Sequence, residues 1–259
     1  MKIISFNISV KIDNSKKVVE YLKTQNADIV CLQEVFRPLE TSVSLESCSG
    51  KIIINALKKY YPFYFFAPEW VADKFIHGTK VFRKFNGMVE QGKLILSKYP
   101  IVHGYNYFYF KNYEFDCDRT DFKKGKDHGR ALQVCDIDIG GAIIQIVNVH
   151  GCYSSKKIDT ERSIFQSKFI LKKLRERKNP IILLGDFNLL PNTKSIVMIN
   201  KKYQNLNTEF DISNTRSDKK MVIDYVFIDR NFSANNLRID KIDISDHYSL
   251  IAEIELKQN

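Results

Sequence analysis

The sequence predicts an α+β fold built as a layered sandwich of mixed β-sheets. The chain of 259 residues contains many short apolar runs with strand character and few segments with helical periodicity. A strand–helix–strand plan occurs twice, near the N-terminus and again after Gly141. Polar side chains follow the strands of both units, and in α/β proteins ligands gather at the carboxyl ends of strands. A pure Rossmann fold would need more helices between its strands.

The first unit is predicted as a strand, a helix and a strand over Lys2–Val10, Ser15–Gln25 and Asp28–Leu32. The helix has one apolar face formed by Val18, Val19 and Leu22. Asn7 lies near the end of the first strand, and Glu34 follows the second. We therefore expect these two side chains to lie near each other.

The second unit repeats the plan over Ala142–Val149, Asp159–Lys178 and Pro180–Leu184. The expected apolar face of its helix contains Ile164, Phe165, Phe169, Ile170 and Leu174. His150 follows its first strand, and Asp186 and Asn188 follow its second. These three residues are candidates to converge with those of the first unit.

Six further segments have strand character, and they complete the expected sheets: Lys93–Ser97, Tyr105–Phe110, Arg130–Ile139, Met221–Ile228, Ile239–Ile244 and Tyr248–Leu256. The sequence shows no linker, repeat array or low-complexity segment. The simplest prediction is a single domain over residues 1–259.

The composition excludes several classes of protein. A content of 44% hydrophobic and 27% charged residues excludes a largely disordered chain. No apolar run approaches the roughly 20 residues that span a bilayer, so we expect no transmembrane segment. The N-terminus lacks the apolar core of a signal peptide. Five cysteines without a CxxC pair argue against a disulfide framework or zinc knuckle. We expect a cytoplasmic monomer, with export by another route left open.

The net charge of +10 indicates an anionic partner: nucleic acid, a phosphorylated substrate or a membrane surface. A lysine-rich surface from a biased genome would give the same figure. Nine of the basic residues fall between Lys156 and Lys178, against three acidic ones, and the charged face of a helix is usually only solvated.

Three short motifs can carry chemistry. Asp186 and Asn188 follow a buried strand and Gly185, where an unpaired carboxylate would be costly, although Asp and Asn also favour plain turns. Asp246 and His247 place a metal or phosphate ligand beside a proton-transfer group, or form a hydrogen-bonded loop pair. Glu34 after an apolar run is either a divalent-metal ligand or a strand-end charge.

Taken together, the candidates offer hard oxygen ligands, two histidines and two carboxamides, without cysteine or an HExxH pattern. Such a set favours Mg²⁺ or Mn²⁺ over zinc and suits metal-assisted attack of water on a phosphodiester. The members are Asn7, Glu34, His150, Asp186, Asn188, Asp224, Asp246 and His247.

These residues stand in an ordered string that resembles the deoxyribonuclease I-like endonuclease/exonuclease/phosphatase superfamily. The string is Phe6-Asn7, Leu32-Gln33-Glu34, Asn148-Val149-His150, Gly185-Asp186-Phe187-Asn188, Asp224-Tyr225-Val226-Phe227 and Ser245-Asp246-His247. The resemblance covers nearly the whole chain. It implies a four-layer α/β/β/α sandwich, with two facing mixed sheets flanked by helices.

The resemblance also implies residue roles. Glu34 would be the main Mg²⁺ ligand, with Asn7 and Asp246 near the metal. Asp186 would position or activate water, and Asn188 would hold a phosphate oxygen. His247, oriented by Asp224, would contact the phosphate or transfer a proton, and His150 would polarise the phosphate.

Two further residues match supporting positions of the superfamily. Arg130 falls where members carry an arginine that contacts phosphate, and Glu90 falls where members carry a glutamate that supports the first histidine. The alternatives are a surface residue at the start of a strand and an exposed loop glutamate.

The superfamily fixes the reaction better than the substrate. The leading hypothesis is a Mg²⁺-dependent nuclease or DNA-end-processing phosphodiesterase, supported by the charge. The alternative is a sphingomyelinase-like or inositol-phosphate phosphoesterase, for which the aromatic clusters Tyr60–Phe66 and Tyr105–Phe115 could touch a lipid interface or simply pack in the core. A non-catalytic binding module is a minor alternative, because every expected ligand position is occupied.

Overall fold

Two six-stranded mixed β-sheets face each other across an apolar core, with helices on their outer faces. The computed structural model describes residues 1–9, 14–43, 48–77, 80–113 and 129–257. The strands are β1 (Lys2–Asn7), β2 (Ile29–Pro38), β3 (Phe63–His77), β4 (Lys80–Ser97), β5 (Ile101–Phe110), β6 (Arg130–Asp138), β7 (Ile143–His150), β8 (Ile181–Asp186), β9 (Gln204–Asn205), β10 (Asp224–Ile228), β11 (Phe232–Asp240) and β12 (Ser249–Leu256). The helices are α1 (Ser15–Gln25), α2 (Ser49–Leu57), α3 (Glu161–Arg175), α4 (Lys194–Asn200) and α5 (Leu206–Glu209).

The first sheet has the strand order β11-β12-β1-β2-β4-β3, and the second has β5-β6-β7-β8-β10-β9. Within each sheet the strands joined by a crossover helix are parallel, β1 with β2 and β7 with β8. The other pairs are antiparallel, so both sheets are mixed. The predicted four-layer sandwich with two strand–helix–strand units is confirmed.

Three apolar clusters separate the four layers. Side chains of both sheets meet in the middle, for example Ile29 with Ile146 and Leu184. On one outside face Val18, Val19 and Leu22 of α1 pack on the first sheet, as predicted. On the other outside face α3 and α4 pack on the second sheet.

Helix α3 is shorter than its predicted range and is rotated from its predicted face. Thr160 forms a capping box with Ser163, so the helix begins at Glu161, and the Asp159 carboxylate binds backbone amides at the start of α4 instead. Phe165 is 54% exposed. Gln166 is buried in its place, because its amide oxygen accepts hydrogen bonds from Cys152 N and Tyr109 Oη.

Two strand predictions were also incomplete. The first strand ends at Asn7, and Val10 of the predicted range lies outside the described residues. The strand predicted over Ile239–Ile244 is in fact the end of β11, which pairs with β12 up to Asp240. The apolar residues that follow, Ile242 and Ile244, lie outside any strand and pack against the α1 layer.

The cysteines Cys31, Cys48, Cys135 and Cys152 are buried, and Cys117 lies outside the described residues. Among the helices of the described residues, none has both the length and the apolar character to cross a membrane.

Candidate active site

The site lies at one edge of the sandwich, where strands of both sheets end. β7 and β8 pair in parallel so that His150 lies opposite Asp186, and β10 returns antiparallel so that Asp224 lies opposite Asp186. Gly185 has φ +133, and a Cβ there would lie 2.1 Å from Val149 O, so only glycine allows this register. The register therefore places three candidate side chains on neighbouring strands.

Asn7 connects the two sheets. Its Nδ2 donates to Glu34 Oε1 at 3.2 Å and to Asp186 Oδ2 at 3.1 Å. The sequence indicated that Glu34 follows the end of its strand, but in the structure it lies within β2. This strand continues to Pro38 through an irregularity in its pairing with β4. Glu34 adopts a left-handed conformation there, with φ +61, and this conformation lies within the irregularity.

His247 lies between two buried carboxylates. Its Nδ1 is 3.0 Å from both oxygens of Asp224, and its Nε2 is 3.7 Å from Asp186 Oδ2. The Ser245 hydroxyl fixes the backbone here, since it donates to Asn7 O and accepts from His247 N. This arrangement holds an imidazole between an orienting carboxylate and a second carboxylate that faces the cleft.

Burial and the neighbouring charges shift the pKa values of His247, Asp224 and Asp186 in different directions. Burial alone would lower the pKa of His247, but Asp224 and Asp186 outweigh it and raise the pKa to about 9. Burial and the neighbouring Asp186 charge raise the pKa of Asp224. Burial opposes ionisation of Asp186 too, but His247, His150 and Lys157 outweigh it and lower its pKa. Asp186 is thus the carboxylate that stays ionised.

His150 lies on the other side of Asp186. Its Nε2 is 3.6 Å from Glu34 Oε1 and 4.0 Å from Asp186 Oδ2. Arg130 is buried and places Nη1 2.9 Å from His150 Nδ1. An arginine can only donate, so Nδ1 accepts and Nε2 carries the proton that faces the carboxylates. Arg130 thus contacts the ring nitrogen of His150 that points away from Asp186 and Glu34.

The carboxylate beside His150 is Glu69, and this corrects the expectation for Glu90. Glu69 Oε2 is 3.7 Å from His150 Nδ1, whereas Glu90 accepts from Arg37 and Tyr113. Glu69 is the extra residue where the β3–β4 register shifts between Pro68 and Trp70. A bulge redirects the side chain, and alternation along the strand therefore gives no sign of it.

Glu69 is fully buried and pairs with an equally buried Lys93, whose Nζ lies 2.6 Å from Glu69 Oε1. Burial alone would raise the pKa of Glu69, but Lys93 and the His150–Arg130 pair hold it well below its usual range. A lone lysine in the apolar run Gly92–Ser97 was the available sequence signal for such a pair.

Asp246 was expected near the metal, and the structure pairs it with Arg216. Arg216 Nη2 is 2.9 Å from Asp246 Oδ2, its Nε binds Asp218, and its Nη1 is 2.6 Å from His247 Nε2. A guanidinium and a protonated Nε2 are both donors, so this contact requires the unprotonated Nε2. Protonation of His247, which its raised pKa favours, would break this hydrogen bond. No pattern in the sequence singled out Arg216.

Asn188 and Lys157 complete the cleft. Asn188 Nδ2 contacts Asp186 Oδ2 and Gly151 O, each at 3.3 Å, and its Oδ1 accepts from Lys157 Nζ. In the sequence, Lys157 belongs to the basic run between Lys156 and Lys178. Its burial in the cleft could not be read from charge spacing.

The donors at this edge suit a hard divalent cation. Glu34 offers a carboxylate beside Asn7, and Asp186, Asp224 and His247 offer ligand atoms within 4.8 Å of one another. These are mostly oxygen donors, which Mg²⁺ and Mn²⁺ prefer. Asn7 faces Glu34 with its nitrogen, while its Oδ1 accepts from Ser9 N.

Solved structures with the same fold cover nearly all of this chain. An endonuclease/exonuclease/phosphatase from Beutenbergia cavernae shares 17% identity and a TM-score of 0.77 over 99% of this chain and 71% of its own. One from Bacteroides vulgatus shares 18% identity and a TM-score of 0.71, over 99% and 98%. A mannosyl-6-phosphatase from Bacteroides thetaiotaomicron shares 14% identity and a TM-score of 0.64, over 99% and 100%.

At these identities the structures show the fold alone, and no curated protein sequence matches the chain. The family profile is more informative, because it spans the site from Asn7 to His247 and ends on that histidine. The match covers residues 4–247, and the chain therefore belongs to the endonuclease/exonuclease/phosphatase family.

Proposed function

We propose that this protein is a Mg²⁺-dependent phosphodiesterase that cleaves nucleic acid or processes DNA ends. One observation carries the proposal: the Asp186 carboxylate lies between two imidazoles, 3.7 Å from His247 Nε2 and 4.0 Å from His150 Nε2. A base and two proton donors around one point suit in-line hydrolysis of a phosphate ester. Members of this family are hydrolases that act on phosphate esters.

Each of these residues has its own role in the proposed reaction. Asp186 orients the attacking water and takes its proton as the new O–P bond forms. His247, held by Asp224, gives a proton to the leaving oxygen as the old P–O bond breaks. His150 Nε2, oriented by Arg130, donates to a phosphate oxygen on which negative charge grows. Mg²⁺ held by Glu34 would add positive charge at the same phosphate.

Charge favours a nucleic-acid substrate over a lipid. A further cation, Lys157, lies beside Asn188 and the Asp186–His247 group, whereas Arg216 is paired with Asp246 and Asp218. The exposed aromatic residues Tyr60, Phe63 and Tyr64 lie elsewhere, since Phe63 pairs with Ser97 at the Ile29 end of the first sheet, away from Glu34. Tyr109 of the second cluster is buried, and Phe115 lies outside the described residues.

The test is hydrolysis of bis-p-nitrophenyl phosphate with Mg²⁺, with Mn²⁺ and with EDTA. We expect turnover with either metal, none with EDTA, and a loss of about 10²-fold or more for Asp186→Asn or His247→Gln. Asp243→Asn changes an exposed carboxylate and is the control. Activity that survives both site variants would overturn the assignment.

A substrate panel then separates the alternatives. It contains supercoiled and single-stranded DNA, RNA, 5′-phosphotyrosyl DNA, sphingomyelin, inositol phosphates and mannose 6-phosphate. DNA turnover that falls steeply with salt supports the nuclease proposal. Turnover of sphingomyelin or a phosphorylated sugar without DNA turnover would replace it.

A further inference from the structure

Lys157 is a buried cation in the wall of the cleft. It lies in the segment between β7 and α3 and is 9% exposed, whereas its neighbour Lys156 is exposed. Its Nζ donates to Asn188 Oδ1 and lies 4.2 Å from the centroid of the Tyr153 ring. Among the described residues its partners are thus a neutral amide oxygen and an aromatic face, which support an ammonium without neutralising it.

Other cations near the site form salt bridges with carboxylates, and Lys157 differs from them. Lys93 is paired with Glu69, and Arg216 with Asp246 and Asp218. Among the residues that the structure describes, no carboxylate forms a salt bridge with Lys157. Burial lowers its pKa, and the more distant Asp186, Asp224 and Glu34 charges oppose that.

The backbone holds Lys157 in place. Its φ is +56, its N–H donates to Ser154 O at 3.1 Å, and its carbonyl accepts from Leu190 N at 2.8 Å. Glu34 and Asn188 share this left-handed conformation, with φ +61 and +58. A non-glycine residue there costs about 1–3 kcal/mol and persists only where the surrounding structure holds it. The backbone hydrogen bonds hold Lys157 in this conformation, and its Nζ donates to Asn188 Oδ1.

Asn188 has no amide hydrogen bond left to give. Its Nδ2 already contacts Asp186 Oδ2 and Gly151 O, and its Oδ1 faces Lys157. The family resemblance assigns the donor to a phosphate oxygen to Asn188. In this geometry its neighbour Lys157 can donate to the phosphate oxygen instead. Lys157 has three N–H groups, and Asn188 accepts from one of them.

We propose that Lys157 binds a non-bridging oxygen of the phosphate undergoing hydrolysis, and that Asn188 positions Lys157 rather than binding the phosphate itself. The inference rests on the proposed phosphoesterase function. A fixed ammonium in a water-poor cleft stabilises charge that grows on the phosphate without reorganising. The ligand class is a phosphate ester, or inorganic phosphate, whose anionic oxygens reach the Lys157 ammonium.

The experiment compares Lys157→Met, Lys157→Arg and the control Lys156→Met in the full chain with Mg²⁺. Calorimetric titration with inorganic phosphate measures binding without turnover, and bis-p-nitrophenyl phosphate measures kcat/KM. We expect Lys157→Met to weaken phosphate binding and kcat/KM by about 10- to 100-fold. Lys157→Arg keeps the charge and should retain most of the binding, and Lys156→Met should match the unsubstituted protein.

A folded Lys157→Met protein with the phosphate affinity and kcat/KM of the control overturns the proposal, and so does an unsubstituted protein that binds no phosphate. If Lys157→Met does not fold, Lys157→Gln keeps a donor for Asn188 and makes the same test. Phosphate binding that depends on Lys157 without any ester hydrolysis supports this site and refutes the proposed function. Hydrolysis at an unchanged rate in the Lys157→Met protein supports the proposed function and refutes this site.

Discussion

Asp186 and Asp224 are two buried carboxylates on neighbouring strands whose environments give them different chemistry. Asp186 is surrounded by His150, His247 and Lys157, which lower its pKa despite burial. Burial and the Asp186 charge raise the pKa of Asp224, while its two oxygens contact His247 Nδ1. Neighbouring carboxylates whose pKa values move apart are a frequent basis for dividing base and orienting roles.

Asp224→Asn tests this division through the pH dependence of the reaction. His247 has a pKa raised to about 9, so its protonated form persists below that pH and is lost above it. Without the Asp224 charge, burial and Arg216 lower the pKa of His247 and only Asp186 opposes them, so protonation is lost at lower pH. We expect the alkaline limb of the kcat/KM profile for bis-p-nitrophenyl phosphate to move at least about one pH unit towards acid.

The His247 ring titration, followed by NMR, should move in the same direction. Asp243→Asn is the matched control, because its carboxylate is exposed and lies four residues before His247 in the chain. An alkaline limb that stays in place after Asp224→Asn would show that His247 is not the proton donor.

At the scale of elements, the sequence predicted the residues that follow apolar strands. Asn7, His150 and Asp186 converge because parallel strands of each unit end at one edge of the sandwich. Glu69 and Lys93 were not predicted, because a bulge turns Glu69 into the interior of a segment that otherwise looks like aromatic core. Arg216 reaches His247 from a separate segment, and local periodicity carries no information on such a contact.

The β3–β4 bulge depends on a buried ion pair, and removing one partner at a time tests this. We expect Glu69→Gln or Lys93→Met alone to lower the free energy of unfolding by about 3–5 kcal/mol. Glu69→Gln leaves the Lys93 ammonium without its carboxylate, and Lys93→Met leaves Glu69 with only the longer contacts to Arg130 and His150. The double variant should lose clearly less than the sum, which urea denaturation of all three proteins measures.

Lys173→Met removes one partner of the exposed Lys173–Glu176 pair and is the control, with little change expected. A double variant whose loss equals the sum of the two single losses would show that Glu69 and Lys93 do not stabilise each other.

At the scale of the whole molecule, much of the positive charge lies away from the cleft. A groove of about 720 Å³ opens at the Ile181 end of β8, with seven basic residues in its lining: Lys168, Lys172, Arg175, Arg177, Lys178, Lys202 and Arg230. Asp186 ends the same strand, about 17 Å away at 3.3 Å per residue. Exposed charges more than about 8 Å apart are largely screened from each other in physiological salt, so the groove adds little to the potential at the site.

We therefore expect Lys172→Gln, Arg175→Gln and Lys178→Gln together to leave catalysis unchanged. All three side chains are exposed, so folding should tolerate the change. At about 0.15 M salt, kcat/KM for bis-p-nitrophenyl phosphate and for plasmid DNA should stay within about twofold of the unsubstituted protein. The small substrate is the internal control, since it has no flanking phosphates. A tenfold loss on DNA alone would contradict this expectation and show that DNA extends from the cleft into the groove.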